Sequence, residues 1–578
     1  MKIAGIDKDI SIQELLETIN LKHGKRIALQ IKKESNWRRL SYLELGDRTI
    51  DVSSTLIKSG IGKGERCAIL SESGPEWGIA FFGILSCGCI AVPLDIKLKE
   101  RELENIISHA EPKVIFVSGR YANIAKSLKS KFPFILHIFL LESASDDPDM
   151  PSVYSLTYNK GEEKYRSIAE DDTALIVYTS GTTGNPKGVE LTLGNLLFEV
   201  LSFFKIVSYT NKDNFLSVLP LNHMLEITGG FIAPLYCGAT ITYCDSLRPN
   251  EILRLMKETH STVMVAVPLL LKLIHSGIFR KIENAPEAVK RSFESSLRMS
   301  KLLKKLKINM DRILFNKIHN EFGGHIRCLI SGGAPLDPKV ASDFGSIGIP
   351  VLQGYGLTET APVVTVNTFA KNKIGSVGRP IPGTELKIVY ASGADKEGEI
   401  LTRGPNIMKG YYKAPDKTAE VIKDGWFQTG DIGYLDEDGY LYISGRSKNL
   451  IVTGAGKKVH PEEVEEELSK SPYIKEICVM GKIQKEGSHK GTEEVYAVVV
   501  PNLDYLKLKG ANTDDASIEA VIANDIRDLS KDMAEYKRVT DFEVWCDELP
   551  KTSSRKIKRK EIAELVALEV KEEEMAHV

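Results

Sequence analysis

The stretch DDTALIVYTSGTTGNPKGVELTLGNLLFEVLSFF, residues 171–204, decides how the chain is read. Ala174 to Val177 form an apolar, β-branched run of strand length. The eleven residues from Tyr178 to Gly188 then hold five hydroxyl side chains, three glycines and one lysine. An amphipathic segment follows, so the pattern predicts strand, loop and helix. The loop then lies at the carboxyl end of a strand, where open α/β sheets receive their ligands. Glycines let backbone amides approach an anion, and hydroxyls and a lysine donate to it, so a phosphate group fits. A Walker A loop is a poor match, because it needs Gly-Lys followed by Ser or Thr, and Lys187 lies between Pro186 and Gly188.

Working outward, the front half alternates short β-branched runs (RCAILS, CIAVPLD, KVIFVS) with amphipathic, helix-length stretches such as YLELGDRTIDVSSTLIKSG and EWGIAFFGILSCG. That alternation predicts an α/β fold, a large N-terminal domain of parallel sheets sandwiched by helices. NFLSVLPL, ATITYCD, STVMVAVP and IRCLISGG continue it. From about residue 375 closely spaced glycine and proline turns with short strands predict a β-rich subdomain, to about 447. Residues 448–578 read as a small α+β domain of independent size. A chain of 578 residues exceeds a single core, so residues 1–447 and 448–578 are expected as separate domains.

Composition excludes more than it assigns. Apolar residues make up 42% and charged residues 27%, with a formal net charge of -2, so no global charge favours nucleic acid. No charged segment leads into an apolar run at the amino terminus, and no later run is long enough to span a bilayer, so a cytoplasmic protein is expected. The eight cysteines are scattered and read as reduced; Cys87-Gly-Cys89, the one close pair, reads as core packing.

Seven stretches occur in a telling order: YTSGTTGNPKG (178–188), LPLNHMLE (219–226), SGGAPLD (331–337), QGYGLTET (353–360), FQTGDIG (427–433), GRSKNLIVTGAGKKVHPEEVE (445–465) and LPKTSSRKIKR (549–559). Together they resemble the adenylate-forming superfamily of acyl-CoA synthetases, nonribosomal adenylation domains and luciferases, over nearly the whole chain. The resemblance implies activation of a carboxylic acid by Mg-ATP to an acyl-adenylate, then transfer to the thiol of CoA. It also implies that the C-terminal domain is mobile.

Site residues follow from the same resemblance. Thr179, Ser180, Gly181, Thr182, Thr183, Gly184 and Lys187 would hold the β- and γ-phosphates. Gly333, Ala334 and Pro335 would line the adenine, Tyr355 would stack on it, and Gln353, Gly354 and Gly356 complete that nucleotide motif. Thr358 would touch the α-phosphate, and Glu359, with Thr179, would hold Mg2+. Asp431 would accept the ribose hydroxyls, Arg446 would reach the same region, and His223 would line the carboxylate side of the acid pocket. No general base is needed there, because the attacking carboxylate carries no proton. Lys556 would lie between carboxylate and α-phosphate. Lys448 would be the hinge, with Gly454, Gly456 and Lys457 on the CoA side. Taken alone, Tyr355 reads rather as a packing aromatic and Asp431 as a turn residue after Gly430, and the basic run around Lys556 has the alternative of a solvated face.

The chain departs from the common pattern at Lys448, where aspartate is usual, at Arg555, where glycine is usual, and at Gln428, where a basic residue is frequent. Lys448, Arg555 and the NHMLE form of the histidine motif resemble the long-chain acyl-CoA synthetase branch. So does an added helical stretch, 279–318, which holds eleven Lys or Arg against four Asp or Glu with leucines and methionines at helical intervals. The expected partners are fatty acid, ATP and CoA, with an anionic membrane surface opposite 279–318 balanced against a solvated helix. A homodimer, another aliphatic or alicyclic acid, a carrier-protein acceptor and a non-catalytic binder stay open.

Overall fold

Ala174–Val177 is the buried centre of the strand Thr173–Thr179, but the segment after the loop is a second strand before it is a helix. Lys187–Thr192 returns antiparallel, pairing Val177 with Val189 and Thr179 with Lys187, and only then does the helix Leu193–Val207 begin. The expectation of strand, loop and helix is corrected to a hairpin followed by a helix. Val189 and Leu191 point inward while Glu190 and Thr192 stay half-exposed, the period-two pattern of a strand. The Thr192 hydroxyl accepts from the Asn195 amide and so starts the helix. The hairpin connection, 180–186, lies outside the described residues, which in this computed structural model are 17, 22–142, 147–179, 187–390, 396–453, 457–483, 493–510, 512, 514–531, 533–552 and 557–576.

The chain forms two compact units, residues 1–386 with 402–427, and 387–401 with 428–578. In the first, a seven-stranded sheet runs in the order Gly410–Tyr411, Lys187–Thr192, Thr173–Thr179, Ile90–Pro93, Arg66–Leu70, Val114–Val117, His137–Leu140. A nine-stranded sheet has at its centre the parallel strands Val351–Tyr355, Cys328–Ser331, Val263–Ala266, Asn214–Ser217 and Thr240–Tyr243. The β-branched runs that suggested parallel sheets are these strands, buried on both faces.

One helix departs from the expected pattern. Pro75–Ser86 is not amphipathic: from Trp77 to Ser86 every residue is buried, as expected of a helix covered on all sides. Close packing there requires glycine, since a Cβ at Gly83 would lie 2.4 Å from Val52 Cγ1. Cys87 and Cys89 are buried beside it, their thiols donating to the Ile84 and Gly62 carbonyls.

In the second unit the strands Ile474–Ile483, Glu493–Pro501 and Asp541–Val544 form a sheet covered by the helices Pro461–Leu468 and Asp515–Leu529. The short strands anticipated between 375 and 447 are present, among them Trp426–Leu435 and Leu441–Arg446, which pair antiparallel. Packing groups residues 428–447 with the C-terminal part of the chain rather than with residues 402–427, because Gly445 lies flat against His460 and Glu462; a Cβ at Gly445 would be 2.7 Å from His460 Nδ1.

Candidate active site

Three turns leave the carboxyl ends of parallel strands at the centre of the nine-stranded sheet. Asn214–Ser217 leads into 219–226, Cys328–Ser331 into 332–337, and Val351–Tyr355 into 356–360. Their ends are level: Ser217 is paired with Val265, and Ser331 with both Ala266 and Gln353. Two of the turns touch, since a methyl at Gly332 would meet Leu225 Cδ2 at 3.0 Å. Gly333 has a left-handed backbone (φ 85°), which presents Ala334 and Pro335 outward, all three exposed. Gly356 admits no side chain, because a Cβ would lie 1.7 Å from the Pro362 carbonyl oxygen. Gln353 is buried, and Gly354 and Tyr355 are half-buried beside the strand Thr365–Val366, Tyr355 paired with Thr365.

Between the strands Val351–Tyr355 and Thr365–Val366, Thr358 and Glu359 lie in a single 3-10 turn, Thr358–Thr360, and a residue absent from the sequence reading holds Glu359. The Tyr411 hydroxyl donates to Glu359 Oε1 at 3.0 Å, and the Met408 amide donates to the Glu359 carbonyl at 2.9 Å. The Tyr411 ring also lies 4.7 Å from Lys187 Nζ, a cation–π contact. Burial, then the Glu359 charge, pushes the Tyr411 hydroxyl far above its ordinary acidity range, so it remains a donor. Gly410–Tyr411 is a two-residue strand paired with Glu190 and Val189, too short for any periodic signal. The GYY in MKGYYKAPD was the only trace of it.

His223 sits where the chain turns into a helix, its carbonyl accepting from the Glu226 and Ile227 amides. Glu226 opens the π-helix Glu226–Ile232 and is fully buried, its carboxyl folded over Gly230. Burial pushes that carboxyl up to about 8, against a smaller opposing pull from the Ser217 hydroxyl. Glu226 is therefore largely protonated at neutral pH.

In the second unit, Asp431 and Arg446 face each other across the hairpin, with Arg446 Nε 2.8 Å from Asp431 Oδ1. Asp431 is on a strand, where Gly430 (φ 70°) turns the backbone before it, and not in a turn. Lys448 is in the 3-10 turn Ser447–Asn449, and Asn449 Nδ2 donates to Glu462 Oε1 at 2.7 Å. Gly454 and Gly456 lie outside the described residues. Lys457 is exposed, and its amide donates to Thr453 Oγ1 at 3.2 Å. Lys556 is also outside them, and the residues on either side of 553–556 are described. Lys551 bridges to Ile557, and its ammonium pairs with Glu476. Arg559 Nη2 lies 2.5 Å from Glu465 Oε1, and its Nε donates to the Val479 carbonyl at 2.8 Å. The reading of this run as a solvated face is corrected for Lys551 and Arg559, which are held in carboxylate sockets.

No group of three or more His, Cys, Asp or Glu among the described residues is arranged to hold a metal by itself. Glu359 and Thr179 carry a carboxylate and a hydroxyl, the all-oxygen donor types that suit Mg2+, which keeps waters and shares phosphate oxygens.

The fold is α/β, with three turns gathered at the carboxyl ends of its parallel strands. The profile of the AMP-binding enzyme matches residues 16–412, and that of the AMP-binding enzyme C-terminal domain matches 463–556. Long chain acyl-CoA synthetase 6, peroxisomal, of Arabidopsis thaliana is 32% identical over 523 residues, 86% of this chain and 72% of that protein. A chloroplastic long-chain-fatty-acid–acyl-carrier-protein ligase of the same plant is 30% identical over 88% of this chain and 78% of its own length. The crystal structure of ATP-bound MatB from Rhodopseudomonas palustris superimposes with a TM-score of 0.76 at 26% identity, covering 96% of this chain and 99% of that one. The chain belongs to the AMP-binding enzyme family, the AMP-forming acid–thiol ligases that work through an acyl-adenylate.

Proposed function

We propose that this ligase activates a long-chain fatty acid with Mg-ATP and passes the acyl group to CoA. The observation that carries the reading is the convergence of the three strand-end turns with Glu359 and Lys187 held on one tyrosine. The long-chain assignment draws on the relatives' names and on the NHMLE form of the histidine motif. A carboxylate oxygen attacks the α-phosphorus and the bond to the bridging oxygen breaks, so pyrophosphate leaves. The thiolate sulfur then attacks the acyl carbon, and AMP leaves with the oxygen.

Each step moves negative charge between oxygens, so positioning and preorganised donors supply the catalysis. Thr179 to Gly184 and Lys187 take the β- and γ-phosphates. Gly333, Ala334, Pro335 and Tyr355 take the adenine, and Thr358 the α-phosphate. Asp431 and Arg446 take the ribose side, and His223 the acid's carboxylate. Glu359 and Thr179 would hold Mg2+, which when bound would neutralise charge on the phosphates. Lys556 bridges carboxylate and α-phosphate. Rotation about Lys448, the hinge of a mobile C-terminal domain, would withdraw it and bring Gly454, Gly456 and Lys457 toward CoA.

The test is release of AMP and pyrophosphate from Mg-ATP and CoA with acids from acetate to oleate. Release should depend on the acid and favour long chains, and Lys556→Ala should lower it about 100- to 1,000-fold. No release with any acid would overturn the proposal. The carrier-protein relative supports a second reading, in which a phosphopantetheine-bearing carrier replaces CoA. Acyl transfer to carrier but not to free CoA would select it.

Residues 279–318 supply the further proposed contact, with an anionic bilayer. They fold as the helices Pro268–Glu283 (its last turns), Glu287–Lys305, Asp311–Leu314 and Asn316–Glu321 (its start). Leu302, Leu306 and Ile313 are 56%, 63% and 70% exposed, and Met299 and Ile308 are exposed among Arg298, Lys301, Lys305, Lys307 and Arg312. Apolar side chains between cations fit a negatively charged lipid surface, which also dissolves the substrate. Cosedimentation with phosphatidylserine vesicles at low salt should exceed that with phosphatidylcholine vesicles and fall in a Leu302→Glu, Leu306→Glu double variant. Equal recovery with both lipids overturns the contact.

A further inference from the structure

Residues 408–412 run as a strap between two parts of the candidate site that the sequence keeps far apart. At one end the Met408 amide holds the carbonyl of Glu359. At the other, Tyr411 pairs with Val189, and the Tyr412 amide donates to the Gly188 carbonyl at 2.8 Å, immediately beside Lys187. Tyr411 faces both. Its hydroxyl is 3.0 Å from Glu359 Oε1, and its ring lies 4.7 Å from Lys187 Nζ. Its own backbone is fixed in turn, the amide donating to Thr418 Oγ1 at 2.8 Å, and the side chain is buried.

The geometry points to Tyr411 as a positioning residue with two separable functions: its hydroxyl orients the Glu359 carboxylate toward Mg2+, and its ring steers the Lys187 ammonium toward the phosphates. The inference rests on the ligase reading for the identity of metal and phosphates. A carboxylate with one oxygen engaged by a fixed donor has one rotamer, and it offers its other oxygen in a set direction; such outer partners govern metal affinity. A lysine over an aromatic face keeps its charge while losing rotational freedom, which favours a bound polyanion. The two links are chemically distinct. Phenylalanine removes the first and keeps the second, whereas leucine removes both.

Two titrations separate them. The first follows Mn2+ binding to the ATP complex by electron paramagnetic resonance; the second follows the Mg2+ and ATP dependence of pyrophosphate release. Tyr411→Phe should weaken Mn2+ binding about tenfold and raise the Mg2+ needed for half-maximal turnover by the same factor. Its KM for ATP at saturating Mg2+ should stay within about twofold of wild type, because the ring remains under Lys187. Tyr411→Leu should add a rise of about fivefold in that KM. Wild-type metal affinity in Tyr411→Phe overturns the inference, as does a fall in kcat that is the same at every Mg2+ concentration, which packing alone would produce. Should the leucine variant fail to fold, the phenylalanine variant decides. If wild-type enzyme releases no pyrophosphate with any acid, the ligase reading falls, while the Mn2+ titration still reads Tyr411.

Discussion

In residues 551–560 two cations are fixed by carboxylates of the same unit: Lys551 by Glu476, and Arg559 by Glu465 and the Val479 carbonyl. In the helix Glu287–Lys305 the cations mostly face water. Arg298 is 3.9 Å from Glu294 with both side chains well exposed, and one firm tie, Lys304 to the buried Asp311 at 2.7 Å, joins the helix to the next turn. The two stretches look alike as sequence. The first ties its charge to carboxylates of its own unit, which are partly desolvated; the second leaves its charge in water, which screens it.

The comparison breaks if the sockets carry no energy. Arg559→Met leaves Glu465 facing a partly buried site without its cation, and should cost about 2–4 kcal/mol, between an exposed and a fully buried pair. Urea midpoints at constant m-value read this directly. Adding Glu465→Gln to Arg559→Met should recover part of the loss, since the orphaned charge goes with it.

Glu226 sharpens the same contrast, being a fully buried carboxyl that burial raises to about 8, whereas at Glu465 burial also raises the carboxyl but Arg559 pulls against it. The native state therefore keeps a proton that the unfolded chain releases near the ordinary 4.5. This contribution is fully present below that value and is lost as pH rises toward 8, at up to about 1.4 kcal/mol per pH unit. Glu226→Gln should flatten the stability profile over that window and stabilise the protein above it. A pH profile unchanged by the substitution would refute the assignment. The smallest effect is expected at Arg298→Ala, below about 0.5 kcal/mol in urea unfolding, because its pair is exposed. A larger loss would mean that the helix Glu287–Lys305 depends on its charges for folding rather than presenting them.

Much of the fold was legible in the residues alone, and so was the set of strand-end turns that forms the candidate site. The β-branched runs fixed the parallel strands, since strands buried on both faces must be continuously apolar. Motif order carried the family resemblance, and the turns 331–337 and 353–360 hold the glycines and hydroxyls that a ligand-facing backbone needs. Two local readings failed for a local reason. Lys187–Thr192 was hidden by the glycine within it and by the apolar helix after it, and Pro75–Ser86 resembled an amphipathic helix because Trp77, Gly78 and Gly83 interrupt a helix that is covered on every side.

What the chain determined by itself was the alternation of elements and the residue types at strand ends, both of which are local in sequence and enforced by backbone chemistry. Which cations are tied and which face water, whether Glu226 holds a proton, and that Tyr411 joins Glu359 to Lys187 were decided only by tertiary structure. Glu359 and Tyr411 stand 52 positions apart. Charge pairing, desolvation and a hydroxyl's choice of partner depend on distance in space, and no pattern of composition or period encodes that distance.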